Sequence, residues 1–257
     1  MVRTILSIND IQRLRLDLAR SRAGGKHSLY RGQSNECWEI NTSLNRVPTR
    51  KTWNELWTAF KSAFEGLAIE LKRLGYLNYK PKTENTNFYL LSAARHLGFA
   101  CNLIDWTSSL DMALFATCEK NMDKDGALFV LYGNLNINER PINIDPLTID
   151  KSILVCKDFD FMPNNQGLSN LPLARIRRLR QHGFFSVISK KDIESDYKQL
   201  LPSDISIHKI IIPSALKAEI NDYIQQIGIS KEWFFLNEVL PNQSIKKISE
   251  INSKIFM

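Results

Sequence analysis

Residues 53–74 carry one unbroken amphipathic stripe. Trp53, Leu56, Trp57, Phe60, Phe64, Leu67 and Leu71 recur every three or four residues, and Gly75 follows where a helix C′ glycine is expected. A helix with so many large apolar groups on one face must lie against a core that covers them, because packing rather than propensity stabilises most protein helices. Short apolar runs supply another layer. Residues 127–132, 152–156, 184–188 and 207–212 have the length and composition of strands, and Pro213 ends the last. Helical patterns concentrate before residue 120 and strands mostly after it. That distribution predicts a single α+β domain, with a mixed, mainly antiparallel sheet and helices at both ends, rather than regular βαβ alternation.

The remaining segments fit this frame. Ser7 and Asp10 make a capping segment for a helix whose Ile8, Ile11, Leu14 and Leu18 share a face, and Gly24-Gly25 stops it. Residues 27–31 read as a short strand followed by a polar turn at 32–35. A second helix is expected over 85–97, ended by Gly98. A third starts at Ser108 or Ser109, with Asp111 in its first turn, and runs to Glu119. Ser214 is expected to cap a helix carrying Leu216, Ile220, Ile224 and Ile227, stopped by Gly228. Residues 133–151 and 157–170 read as long loops. The boundaries drawn are an N-terminal helix at 1–26, a main domain at 27–240 and a C-terminal extension at 241–257.

Composition excludes several classes. Apolar residues are 44% and charged residues 24%, ordinary globular usage that rules out disorder as the main state. No run approaches the roughly 18 apolar residues of a membrane span. The N-terminal segment alternates apolar and charged residues, unlike a signal peptide. Cys37, Cys101, Cys118 and Cys156 and the four histidines show no zinc spacing. These readings predict a cytoplasmic protein with no membrane and no metal. The charge is more informative: 34 Lys and Arg against 27 Asp and Glu give +7. Residues 175–191 hold six basic residues and no acid, and residues 1–31 hold seven basic residues and two acids. Such segments are often only solvated faces. They can also line a cleft for a phosphate-bearing ligand, because arginine grips phosphate bidentately. A dinucleotide and a nucleic acid both qualify, and a protein partner is a further alternative.

Three ordered motifs carry a resemblance. The first is Tyr30-Arg31-Gly32-Gln33, with Trp38 and the 41–46 segment ending in Arg46 behind it. The second runs from Ala94-Arg95-His96 through Gly98 to Leu103-Ile104-Asp105-Trp106-Thr107. The third is Arg180-Gln181-His182-Gly183-Phe184-Phe185. Their order and spacing resemble the FRG domain, a bacterial family named for its Phe/Tyr-Arg-Gly motif, over about residues 27–240. The chain departs from the family pattern where Ala100-Cys101-Asn102 replaces Pro-Thr-Arg, so one expected cation is missing. A further departure is Trp233-Phe234-Phe235, which replaces a proline-containing block.

Tyr30-Arg31-Gly32 also resembles the opening motif of the Arg–Ser–Glu class of ADP-ribosyltransferases, and Thr107-Ser108-Ser109 resembles that fold's Ser-Thr-Ser strand. This second resemblance implies an NAD-type cofactor, with Arg31, Thr107, Ser108 and Gln181 in the catalytic positions. Tyr30, Arg31, Gly32, Gln33, His96, Asp105, Trp106 and His182 would then bind it. Gln181 or His182 stands where that class has its glutamate, and a neutral group cannot stabilise an oxocarbenium ion as a carboxylate does. Altered or lost transferase chemistry is therefore implied. The alternative is a non-catalytic nucleic-acid-binding or protein-interaction module in a bacterial defence or regulatory system. Residue by residue, blander readings stand beside these. Arg31 would ion-pair with Asp105 or Glu36, Asp105 with Arg31 or Arg95, and Trp106 would pack in the core. Thr107 and Ser108 would cap the next helix.

Overall fold

The computed structural model describes residues 2–46, 49–73, 85–137, 144–157, 183–230 and 242–256. Seven strands form one sheet: β1 (Val2–Thr4), β2 (His27–Gln33), β3 (Leu103–Thr107), β4 (Gly126–Gly133), β5 (Ile153–Lys157), β6 (Gly183–Val187) and β7 (Ile205–Ile212). Their spatial order is β1-β7-β4-β2-β3-β6-β5, so β2 is the central strand. The β1–β7 pair is parallel, and the other pairs are antiparallel. Among the described residues six α-helices flank it: α1 (Ile8–Ala23), α2 (Trp53–Arg73), α3 (Thr86–His96), α4 (Leu110–Cys118), α5 (Ser214–Gln226) and α6 (Asn242–Phe256). The α+β class and the mixed, mainly antiparallel sheet expected from the sequence are both present.

The pleat assigns each face its helices. Leu29, Phe129 and Leu131 point into a core shared with Phe60 and Phe64 of α2, Phe88 and Leu91 of α3, and Ile255 of α6. Tyr30, Leu128, Val130 and Ile210 point the other way, onto Ile11 and Leu14 of α1, Leu114 of α4, and Ile220 and Ile224 of α5. Alternate residues of β2 and β4 thus serve opposite cores, as the period-2 geometry of a strand requires. The stripe on α2 is buried core, and Phe60 and Phe99 stack within it at 6.0 Å.

Local signals set most helix ends. Ser7 caps α1 by accepting from the Asp10 amide, while the Asp10 carboxylate accepts from the Leu6 amide and the Ser7 hydroxyl. Asn85 caps α3 and Ser109 caps α4. Two expectations need correction. The proposed turn at 32–35 begins later, because Gly32 and Gln33 continue β2 by pairing with Leu128 and Ala127. Ser214 is the first residue of α5 rather than its cap, and its amide donates to the Asp125 carboxylate instead. Two elements were not foreseen. Strand β1 is three residues long, too short for a period to register. Helix α6 lies in the segment read as an extension; its Asn252 side chain accepts from the Ala100 amide and donates to the Gly98 carbonyl.

Lys217 of α5 is fully buried, and its ammonium donates to the carbonyls of Ser34, Lys120 and Asn121. Burial lowers its pKa, and the carbonyls satisfy all three protons without a carboxylate. This joins the end of β2 to the turn after α4.

Gly32 permits the closest approach in this layer. A Cβ there would lie 1.9 Å from the Ala113 carbonyl oxygen and 2.6 Å from the Thr117 hydroxyl. Gly32→Ala is expected to push α4 off β2 and lower stability by about 3 kcal/mol, read as a lower urea midpoint with an unchanged slope.

Candidate functional site

The sheet is split beside its central strand. β2 pairs with β4 along its whole length, and β3 with β6 along its whole length, but β2 and β3 meet in register only at Tyr30 and Thr107. Past that point the strands diverge and open a cleft of about 540 Å³. Tyr30, Arg31 and Gly32 line one wall, and Asp105, Trp106 and Thr107 the other. The end of α3 contributes Arg95 and His96, α4 contributes Met112 and Ala116, the turn after it Lys120, and β6 contributes Phe184 and Phe185.

Charged groups bridge the gap where ladder hydrogen bonds are absent. Arg31 Nη1 donates to the Asp105 carbonyl at 2.7 Å and lies 3.6 Å from its Oδ2. Arg95 donates to the same Oδ2 from Nε at 3.0 Å and from Nη2 at 2.7 Å. The Arg31 side chain is 9% exposed, and its Nε is buried with no hydrogen-bond partner among the described residues.

Electrostatics follow from this geometry. Burial draws the Arg31 guanidinium down to about 9, repulsion from Arg46 adds to the effect, and Asp105 opposes it. Burial and Arg95 also lower Arg46. Burial alone would lower Arg95, but Asp105 outweighs it and the net shift is upward. Burial would raise Asp105; Arg95 first, then Arg31 and His96, instead hold it well below the usual carboxylate range. At neutral pH the Arg31 and Arg95 guanidiniums therefore share one carboxylate, with Arg46 adding like charge nearby. A buried charge in such deficit favours an added anion.

The structure brings together Tyr30, Arg31, Gly32, His96, Asp105, Trp106 and Thr107 of the residues expected at the site. Their roles differ. The Trp106 indole is buried, donates to the Ser186 hydroxyl at 2.9 Å and packs on Tyr197, so it builds the wall as core. Thr107 Oγ1 accepts from the Ser109 amide in the turn before α4, and Ser109 rather than the expected Thr107 or Ser108 is the cap. His96 meets Phe185 edge-on at 6.1 Å. Ser108 lines a separate cavity of about 360 Å³ with Arg15, Arg22 and Asp111. Gln33 is buried and donates to the Glu39 carbonyl, away from the cleft. Gln181, His182, the arginines of 175–180 and Trp233–Phe235 lie outside the described residues.

Arg95 and Arg46 were not among the expected site residues, although both fall inside the quoted motifs. Arg95 read as a helix-end cation and proved to be the main partner of Asp105. Asn102, standing where the family has arginine, is buried and donates to the carbonyls of Pro146 and Ile188, so it straps loops together. Glu36 pairs with Lys209 rather than Arg31. Among the described residues, no group of three His, Cys, Asp or Glu side chains could hold a metal ion. No described helix is long and apolar enough to cross a membrane.

A split-sheet α+β domain with an arginine-lined cleft is thus defined by fold and site. Residues 26–126 match the family model of the FRG domain, a span that includes β2, β3 and the cleft residues of α3 and α4. No curated protein and no solved structure matches the chain.

Asp105 gives acid stability a definite sign. Its folded pKa lies below the unfolded value of about 3.9, so its contribution is fully present above about pH 4 and is lost as the pH falls through the folded pKa. Asp105→Asn is expected to cost about 2 kcal/mol at both pH 7 and pH 5, less than the roughly 3–5 kcal/mol for breaking a fully buried pair, because the side chain is 36% exposed. Urea titrations at fixed ionic strength would show the gap from wild type closing below about pH 3.

Proposed function

We propose that this FRG-domain protein binds a nucleotide or dinucleotide of the NAD type in the β2–β3 cleft, through a phosphate held by Arg31. The carrying observation is the Arg31 guanidinium. It is nine-tenths buried, has an unpartnered Nε, and shares a single carboxylate with a second guanidinium while Arg46 repels it. A guanidinium taken out of water and left short of acceptors gains most from a ligand that brings negative oxygens to it. The cleft volume and its apolar Phe184–Phe185 wall leave room for a base or nicotinamide ring beside the phosphate.

Binding comes before any reaction in this reading. The two hydroxyls that the transferase resemblance places together at the nicotinamide ribose are separated: Thr107 lines the cleft and accepts from the Ser109 amide, and Ser108 lines the neighbouring cavity. The ligand set therefore supports a nucleotide-binding module rather than an intact Arg–Ser–Glu transferase. We place it in the cytoplasm, where reducing conditions suit its free cysteines.

Calorimetry with NAD⁺, ADP and a 5′-phosphorylated oligonucleotide tests the proposal. At least one is expected to bind, with affinity falling as salt rises, and Arg31→Gln is expected to weaken it by about tenfold to a hundredfold. The reading is overturned if none of the three binds the wild type, or if binding is indifferent to Arg31→Gln.

A further inference from the structure

Asp105 has a second oxygen that the arginines leave alone. Every hydrogen bond and ion pair to its carboxylate falls on Oδ2, from Arg95 Nε and Nη2 and from Arg31 Nη1. Oδ1 has no partner among the described residues. The side chain is 36% exposed and lines the cleft. The carboxylate is thus fixed through one oxygen and presents the other to the ligand space. An ionised carboxylate only accepts hydrogen bonds, and it repels a phosphate. The ligand group beside it must therefore be a donor rather than an anion, and next to a nucleotide's phosphate that donor is a sugar hydroxyl.

Resting on the nucleotide-binding reading above, we infer that Asp105 Oδ1 accepts a hydrogen bond from a ribose hydroxyl, so that the cleft selects ribonucleotides over 2′-deoxyribonucleotides. The arrangement divides the cleft into two chemistries a short distance apart. Arg31, a buried guanidinium short of acceptors, takes the phosphate oxygens, and Asp105 reads the sugar next to it. A nucleotide carries those two groups side by side, a polyanion face and a hydroxyl donor on adjoining atoms. Arg95 is the positioning residue: its two-point grip on Oδ2 fixes the carboxylate plane and so the direction of Oδ1. Discrimination of this kind is strong because a ligand lacking the hydroxyl leaves a desolvated charged acceptor unpaired.

The test compares ADP with 2′-deoxy-ADP and 2′,3′-dideoxy-ADP by calorimetry on the full chain. The wild type is expected to bind ADP about tenfold or more tightly than at least one of the deoxy analogues. In Asp105→Ala no polar group remains to meet the hydroxyl, so the preference is expected to disappear and the affinities to converge. Equal wild-type affinity for all three overturns the inference while leaving nucleotide binding intact. A preference that survives Asp105→Ala overturns the role of Asp105. Absence of binding by all three, together with NAD⁺ and the phosphorylated oligonucleotide, removes the nucleotide reading itself. The wild-type comparison stands even if the Ala variant folds poorly.

Discussion

The bond from Arg31 to the Asp105 carbonyl spans the gap between the central strand β2 and its neighbour β3, and the site depends on it. An ordinary ladder would close β2 onto β3 with backbone hydrogen bonds and leave no room for a ligand. Here one guanidinium makes the cross-strand connection at 2.7 Å, and the strands diverge around it. The same guanidinium is desolvated, crowded by like charge and incompletely bonded. Holding the sheet together and attracting an anion are therefore two consequences of one buried charge. Asp105 keeps that charge tolerable, and Arg95 keeps Asp105 ionised.

Glycine and the small residues of α4 make this geometry possible on the other face. Gly32 lets the Ala113 carbonyl approach where a side chain would stand, so α4 lies directly over the strand that carries Arg31. The Tyr-Arg-Gly order has a physical reading in consequence. Tyr30 fills the core under α1 and α4, Arg31 enters the cleft from the opposite side of the pleat, and Gly32 admits the helix. Three neighbouring residues do three separate jobs because a strand alternates its faces.

Much of the architecture was legible in the chain. The stripe from Trp53 to Leu71, the Ser7–Asp10 cap and the apolar run before Pro213 each signal through local period or capping chemistry, and each forms the expected element. Strand β1 and helix α6 were less visible. The first draws its stability from parallel pairing with β7, and the second from contacts with residues some 150 positions away. Asp105 was read as a partly buried acid in need of Arg31 or Arg95, and it has both.

Sequence by itself determined most of the elements, the α+β class and the set of charged residues in the motifs, because periodicity, capping and residue chemistry are local properties. It equally marked Arg31 and Asp105 as partners. Tertiary structure alone decided that β2 and β3 part after a single paired position, since strand divergence depends on long-range packing. It also sent Thr107 and Ser108 to different cavities, through the turn of the chain into α4. And it decided that two arginines share one oxygen of Asp105, a residue that lines the cleft. No one-dimensional pattern encodes which lone pair is left open, yet that is the feature from which the ligand's chemistry is inferred.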